Sequence, residues 1–172
     1  MLRIDLAEVR AGAVVTRGLI EASDPLWSGS GLALAGSLSI KGRFSSAGEG
    51  TYFWHARMET SFHLECRRCL VPVDVPFDED VELLFVEEEQ SLDEDVGCYV
   101  IPGSTLVLDL REALREELLL AVPQFVECRP DCRGLCPRCG ANLNAGPCEC
   151  RPDRDPRWQS LSDLLPGRPT ED

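Results

Sequence analysis

The sequence is poor in positive charge. It contains 17 lysine and arginine residues against 30 aspartate and glutamate residues, which gives a formal net charge of −13 over 172 residues. Such a charge repels phosphate groups at long range, so it counts against broad, non-specific binding to nucleic acids. A partner that is itself basic is electrostatically easier to approach.

Long apolar runs are also missing. No stretch approaches the roughly 18 uninterrupted apolar residues that a membrane-spanning helix needs. Residues 1–12, MLRIDLAEVRAG, show no apolar segment after a basic start, so no signal peptide is expected. We therefore expect a cytoplasmic protein, with no membrane partner, whose thiols stay reduced. In that compartment cysteine pairs more often bind metal than form disulfides, and an odd count of nine fits a full disulfide framework poorly.

The common sequence motifs of catalysis are absent as well. The chain has no nucleophile elbow, phosphate-binding loop or HExxH motif, and the acidic segment 78–95 lacks the spacing of an EF-hand. His55 and His63 share the polar face of one predicted strand and are expected to be exposed. The sequence therefore predicts a protein that acts by binding, without enzymatic activity and without a small-molecule substrate.

Residues 128–150 contain few side chains that can form a core. They read CRPDCRGLCPRCGANLNAGPCEC and hold six of the nine cysteines. Such a segment needs a covalent or metal crosslink to hold a shape. Cys136, Cys139 and Gly140 form a CxxCG knuckle, in which a tight turn brings two sulfurs together. We therefore predict that this region binds zinc.

Eight of the cysteines divide naturally into two four-thiolate zinc sites. The first site joins two distant pairs, Cys66 with Cys69 and Cys128 with Cys132. The second is local and consists of Cys136, Cys139, Cys148 and Cys150. A single zinc held by Cys132, Cys136, Cys139 and one of Cys148 or Cys150 is also compatible with the spacing. Cys98 is left over and is expected to be a small buried hydrophobic residue.

Several arginines lie close in sequence to these cysteines. We single out four as a candidate binding face: Arg67, Arg68, Arg133 and Arg138. They can also support the thiolates by hydrogen bonding. A third interpretation, in which they are simply solvated surface residues, explains the pattern equally well.

Cys66 and Cys69 also permit a redox interpretation, as the active pair of a thiol–disulfide oxidoreductase. In thioredoxin-like enzymes the first sulfur lies at a helix N-terminus, which lowers its pKa. Here strand patterns flank the pair on both sides, and no helical pattern opens at Cys66. The oxidoreductase is therefore kept only as the alternative function.

Alternating apolar residues predict strands at 2–9, 14–20, 32–44, 51–65, 71–85 and 98–108. The strands at 51–65 and 71–85 are predicted to form an antiparallel hairpin with Cys66 and Cys69 near its tip. Pro72 and Pro76 indicate that its second strand either lies at a sheet edge or is interrupted.

Turns are expected at 22–31 and 45–50, and a charged linker at 87–97. The one strong helix is predicted at 109–122, capped by Asp109 with Glu112 in a capping box. A short helix is predicted at 158–165.

These elements predict an α+β protein with a mostly antiparallel β-sheet or open barrel and one main helix. Residues 1–126 are predicted to form the β-rich core domain, and residues 127–166 a zinc-binding C-terminal subdomain.

The ordered set of motifs resembles the YceD family, the large ribosomal RNA subunit accumulation proteins. The shared pattern is CRRCLVPV, then DLREALREELLLAVP, then C-x3-C-x-G-L-C-x-x-C-G-x-N-L-N and finally DPRWQSLSDLL, over residues 30–165. The resemblance implies a bacterial cytoplasmic factor of ribosome biogenesis that supports accumulation of 23S ribosomal RNA. Its expected partners are precursor ribosomal RNA or large-subunit assembly proteins.

Overall fold

The computed structural model describes residues 2–88 and 98–150, together with residue 157. Its strands are β1 (Arg3–Asp5), β2 (Val14–Ile20), β3 (Leu38–Gly48), β4 (Thr51–Glu65), β5 (Pro72–Glu87), β6 (Cys98–Ile101) and β7 (Val107–Asp109). Its helices are α1 (Leu6–Ala11) and α2 (Arg111–Ala121), and residues Pro25–Trp27 form one 3-10 turn. The predicted α+β class, with one main helix, is confirmed.

Five strands form an open mixed sheet in the order β2-β3-β4-β5-β6. Strands β2 to β5 run antiparallel to one another, whereas β6 pairs with the end of β5 in parallel. A separate two-stranded ribbon joins β1 to β7. Among the described residues β2 and β6 do not pair with each other, so the sheet does not close into a barrel.

One face of this sheet carries the core. Even-numbered side chains of β3 and β4 point to that face, and Phe44, Trp54 and Met58 are fully buried there. Both helices pack on it through apolar residues such as Leu6 and Leu114. Each fully buried side chain of this size contributes about 1.5–3 kcal/mol to folding. The opposite face of β2, β3 and β4 is solvent-exposed over much of its area.

The predicted hairpin is confirmed. Strands β4 and β5 pair antiparallel from Thr51 opposite Val86 to Glu65 opposite Pro72, which leaves the cysteine pair in the connecting turn. Strand β6 pairs only with residues 84–87 of β5. Pro72 and Pro76 therefore lie where β5 pairs with β4 alone among the described residues. Proline has no amide hydrogen to donate, so it is tolerated at such a sheet edge.

Other element boundaries differ from the sequence prediction. The strand predicted over 2–9 is wrong after residue 5, because Asp5 accepts a hydrogen bond from the amide of Ala7 and starts α1. Leu6 and Val9 then bury one helical face. The turn predicted at 45–50 is also misplaced, since β3 continues to Gly48 through a bulge.

Residues 32–37 do not belong to the regular part of β3. They form an irregular segment beside β4, in which the amide of Ala35 donates to Ser61 and the amide of His63 donates to Ala33. This segment therefore lies beside β4 at Ser61 and His63, beyond Glu59, where the pairing of β4 with β3 ends. The even-numbered apolar pattern of Leu32 and Leu34 is nevertheless real, because both pack against the core.

The main helix is two residues shorter at its start than predicted. Asp109 belongs to β7, and its carboxylate accepts a hydrogen bond from the amide of Arg111 at 3.1 Å. Leu110 is the N-cap and makes no side-chain cap hydrogen bond of its own, so the predicted capping box of Asp109 with Glu112 is not formed. The helix predicted at 158–165, and most of the predicted linker, lie outside the described residues.

Candidate metal centres

The turn between β4 and β5 is a compact knuckle. The amide of Leu70 donates to the carbonyl of Cys66, and the amide of Cys66 donates to the carbonyl of Val71, both at 2.9 Å. Leu70 has a φ of 59°, in the left-handed region that L-residues other than glycine seldom adopt. The turn aims the sulfurs of Cys66 and Cys69 in one direction.

The CxxCG sequence at Cys136 folds in the same way. The amide of Gly140 donates to the carbonyl of Cys136 at 2.9 Å, and the amide of Cys136 donates to the carbonyl of Ala141 at 2.8 Å. Gly140 has a φ of 72°, so it occupies the position that Leu70 occupies in the hairpin turn. The chain therefore contains two knuckles with the same hydrogen-bond pattern.

The first cluster lies at the hairpin tip and joins it to the C-terminal segment. Its members are Cys66, Cys69, Cys128 and Cys132, whose sulfurs all lie within 4.8 Å of one another. Two of the sulfur–sulfur distances are 3.9 Å, for Cys66 and Cys132, and 3.6 Å, for Cys69 and Cys128. All four thiols are free, and three of the four residues are buried.

Backbone contacts hold the C-terminal segment against this hairpin tip. The amide of Arg67 donates to the carbonyl of Val126 at 2.8 Å, and the amide of Leu135 donates to the carbonyl of Arg68 at 3.0 Å. A Cβ atom on Gly134 would lie only 3.0 Å from the same Arg68 oxygen. Glycine is required there because the two backbones approach so closely, and its φ of 75° adds a second reason.

The second cluster is local and more open to solvent. Cys136, Cys139, Cys148 and Cys150 place their sulfurs within 4.8 Å of one another. Cys136 is buried, but Cys139 is exposed. A thiol at this cluster is therefore easier for solvent, oxidants or chelators to reach than one at the hairpin tip.

Asn144 connects the loop of the second cluster to the first cluster. Its side-chain amide donates to the sulfur of Cys132 at 3.4 Å and to the side-chain oxygen of Asn142 at 2.8 Å. Its own oxygen accepts from the backbone amide of Arg133 and from the guanidinium of Arg129, both at 2.8 Å. Asn142 and Asn144 are the two asparagines of the N-L-N sequence, to which the sequence analysis gave no role.

Backbone amides favour the ionised form of one thiol in each knuckle. Burial opposes ionisation of Cys66, but hydrogen bonds from the amides of Cys128, Arg68 and Cys69 lower its pKa to about 6. The amides of Cys139 and Arg138 lower the pKa of Cys136 to about 6. These amides are the donors that a metal-bound thiolate uses.

Other sulfurs in the two groups have raised pKa values in the absence of a cation. Burial raises the pKa of Cys128 to about 12, with further contributions from neighbouring thiols. Hydrogen bonding to Cys139, together with burial, raises the pKa of Cys150 to about 12. Four thiolates can therefore coexist in each group only when a positive charge lies among them.

The structure brings together the two sets of four sulfurs that were named from the sequence. Cys132 belongs to the group at the hairpin tip, so it does not share a centre with Cys136 and Cys139. The single-site alternative is therefore not the arrangement seen. Cys98 lies outside both groups and is half-buried in β6, less enclosed than expected.

The four singled-out arginines differ in their surroundings. Arg67 is held by two hydrogen bonds to Glu127 and lies over the ring of Phe125, with 5.3 Å from guanidinium carbon to ring centroid. Arg68, Arg133 and Arg138 are exposed. His55 and His63 are exposed on the outer sheet face, as predicted, where they pair with Asp80 and Asp74.

Both clusters lie at one end of the sheet, and together with the hairpin they define a small α+β protein with two four-cysteine groups, each able to hold a metal ion. The family described as large ribosomal RNA subunit accumulation protein YceD matches residues 54–165, which include most of β4, the hairpin tip and both clusters. The chain belongs to the YceD family.

Similar curated proteins come from bacteria and a plant. An uncharacterised protein of Mycobacterium tuberculosis is 35% identical over 106 residues, covering 59% of this chain and 49% of the relative. A maize protein is 32% identical over 68 residues. Its name is large ribosomal RNA subunit accumulation protein YCED homolog 1, chloroplastic. That match covers 39% of this chain and 23% of the maize protein.

The chain spans about half the length of the mycobacterial relatives it matches. No solved structure matches it. Neither helix in the described part of the chain is long and apolar enough to cross a bilayer.

Proposed function

We propose that each four-cysteine group holds one structural zinc ion. Four zinc–sulfur bonds of about 2.3 Å in a tetrahedron place the sulfurs about 3.8 Å apart. Two of the distances at the hairpin tip, 3.6 and 3.9 Å, lie on either side of that value, and all four sulfurs lie within 4.8 Å of one another. An all-thiolate, four-coordinate donor set suits zinc and leaves no open position for a substrate.

At the hairpin tip, zinc would connect the β4–β5 turn to residues 128 and 132. The second zinc would close the loop that carries Asn144. Bound zinc supplies the positive charge that four neighbouring thiolates require and replaces the apolar core that this segment lacks. The proposed C-terminal subdomain, residues 127–166, would then be a metal-stabilised unit docked on the β-rich domain, residues 1–126.

For the whole protein, we propose a cytoplasmic ribosome-biogenesis factor that supports accumulation of large-subunit ribosomal RNA by binding. The observation that carries this proposal is the family match across the hairpin and both clusters. The name of the maize relative supports it. Precursor ribosomal RNA or large-subunit assembly proteins are the proposed partners.

The proposal assigns no enzymatic activity to the chain. Both cysteine groups have the donor set of closed structural sites, and residues Cys66 and Cys69 are at most 4% exposed. Neither sulfur lies at a helix N-terminus, because the pair occupies a turn between two strands. These features argue against the alternative function as a thiol–disulfide oxidoreductase, in spite of the lowered pKa of Cys66.

The exposed arginines beside the clusters are proposed as secondary contacts to the partner. Arg68, Arg133 and Arg138 are exposed at the surface, and Arg67 would orient the turn through Glu127. Each zinc with four thiolates carries a formal charge of −2. The two centres therefore offset much of the positive charge that these arginines bring.

Co-sedimentation tests the proposed function. The tagged full-length chain is expressed in a bacterial host whose own YceD homologue has been deleted. It should migrate with precursor large subunits in a sucrose gradient. The Cys136→Ser variant should lose this association, and Cys98→Ser, a matched change outside both clusters, should retain it. Absence of the parent chain from precursor fractions at every salt concentration would contradict the proposal.

A further inference from the structure

The exposed face of β2 and β3 is basic, although the protein as a whole is strongly acidic. These two strands carry Arg17, Lys41 and Arg43 and contain no aspartate or glutamate. The chain as a whole has 30 acidic residues against 17 basic ones. We call the surface formed by Arg17, Lys41 and Arg43, with the neighbouring Val15 and Leu19, the β2–β3 face.

The strand register places these cations side by side. Arg17 lies opposite Lys41, and Lys41 lies opposite Arg57 of β4, so three positive side chains form one row across three strands. The next row places Arg43 opposite His55. All of these residues have odd numbers and therefore point away from the core face.

Such a row is unfavourable in isolation, because like charges directly opposite each other on neighbouring strands destabilise a sheet. Arg57 is compensated by Asp78 at 2.7 Å. Lys41 forms a long ion pair with Glu59 at 3.9 Å, and its side chain is 69% exposed. Within the described part of the chain, Arg43 has no ion pair. An anion that approaches β3 would therefore meet the unpaired charge of Arg43 and, beside it, the exposed and loosely paired Lys41.

The acidic strand β5 is too distant to neutralise this face. Neighbouring strands lie about 4.8 Å apart, so β3 and β5 are separated by about 9.6 Å and β2 and β5 by about 14 Å. The Debye length at physiological ionic strength is about 8 Å. Screening therefore lets an approaching anion respond mainly to the cations beneath it, and the net charge of −13 does not decide the interaction.

Exposed aliphatic side chains accompany the cations. Val15 and Leu19 on β2 are 64% and 65% exposed, on the same side of the strand as Arg17. A ligand that fits this surface offers closely spaced negative charges together with less polar groups. A single strand of RNA, with its phosphates, riboses and exposed bases, has this combination.

We propose that the β2–β3 face binds the phosphate backbone of RNA. This inference rests on the proposed function, and it places the contact between protein and RNA on the sheet, away from the cysteine clusters. Lys41 and Arg43 on β3, with Arg17 on β2, bind the phosphates. Val15 and Leu19 pack against the riboses or bases. Arg57 and His55 lie at the edge of this surface, where β5 begins to reverse the charge.

Fluorescence anisotropy measures the affinity of the zinc-loaded full-length chain for RNA and so tests the proposal. The probes are fluorescein-labelled single-stranded RNA fragments that together cover large-subunit ribosomal RNA. The double variant Lys41→Gln/Arg43→Gln is compared with Arg3→Gln/Arg115→Gln, which removes the same charge elsewhere. At 0.15 M salt the first variant should bind roughly tenfold more weakly, because each phosphate contact to a single strand contributes about 0.7 to the salt exponent. The second should bind like the parent, and both should melt no lower than the parent.

The outcomes separate this inference from the proposed function. Equal loss of binding in both double variants, or none in either, would overturn the role of the β2–β3 face while leaving ribosome association untouched. If the parent co-sediments with precursor large subunits yet binds no RNA fragment, a protein is the partner and the inference is wrong. A salt slope that falls by about 1.4 only in Lys41→Gln/Arg43→Gln would establish it.

Discussion

At the scale of single residues, the side chain of Asn144 makes four hydrogen bonds beside the cysteine clusters. It donates to the sulfur of Cys132 and accepts from Arg129 and from the amide of Arg133. A residue supplied by the loop of one cluster therefore orients a ligand of the other. This contact gives the two centres a physical connection that their separate sets of cysteines do not provide.

Asn144→Asp tests this connection. The substitution keeps the accepting oxygen, removes the N–H that reaches Cys132, and places a negative charge beside a thiolate. Loss of such a supporting contact lowers metal affinity by about 10–100-fold. Zinc competition with a chromophoric chelator should show this loss at one of the two sites, and the other site should keep its affinity.

Asn142→Asp is the control for that measurement. Asn142 uses its side-chain oxygen to accept from the backbone and side-chain amides of Asn144, and aspartate retains this acceptor. Its zinc affinity should therefore stay close to that of the parent. If both variants retained parental affinity at both sites, Asn144 would have no role in supporting the metal.

Leu70 shows which residue-level features the sequence did not reveal. The sequence CRRCL lacks the glycine that makes CxxCG recognisable as a knuckle, yet both turns form the same two backbone hydrogen bonds. Leu70 reaches the left-handed conformation in spite of its Cβ, a strain of about 1–2 kcal/mol. Sequence reasoning located the cysteine pair at the hairpin tip but had no means of identifying this shared geometry.

At the scale of elements, the pairing of β3 with β4 depends on Gly42. A Cβ atom there would lie 2.5 Å from the carbonyl oxygen of His55 and 2.6 Å from the Cβ of Ala56. Both obstacles are rigid, so the strands themselves would have to separate. The strand pattern by itself does not distinguish Gly42 from Gly36, where a Cβ would meet nothing within 4 Å.

Gly42→Ala should therefore lower the free energy of unfolding by about 2–3 kcal/mol, at the upper end of the usual cost of overpacking. Gly36→Ala should change it little. Urea denaturation of the two zinc-loaded variants measures the difference. Equal stability of both variants would mean that β3 and β4 are less closely apposed at this point than the structure shows.

The elements that sequence predicted well are those with long, regular patterns. The alternation over 51–65 and 71–85 extends across most of the sheet, so β4 and β5 were located within a few residues. The errors fall where a local interaction decides the outcome. Asp5 starts a helix inside a strand-like pattern, and residues 32–37 keep a strand pattern although they form only irregular pairing beside β4.

At the scale of the whole molecule, the cysteine clusters and the charged strands occupy different parts of the surface. The first cluster lies at the hairpin tip, and a backbone hydrogen bond from Leu135 to Arg68 joins the tip to the segment that carries the second. The outer sheet face changes from basic on β2 and β3 to acidic on β5. The net charge can be counted from the sequence, but this division cannot, because the rows of cations arise only from the register in which the strands pair.

Metal content per chain is the most direct measurement of whether sulfur-bound zinc organises this protein. Inductively coupled plasma mass spectrometry of freshly purified protein should find two zinc ions per chain. Cys66→Ser and Cys136→Ser should each retain about one, and Cys98→Ser should retain two. A parent chain that contained no zinc, and whose thiols all reacted at once without a chelator, would contradict the assignment of both clusters as metal centres.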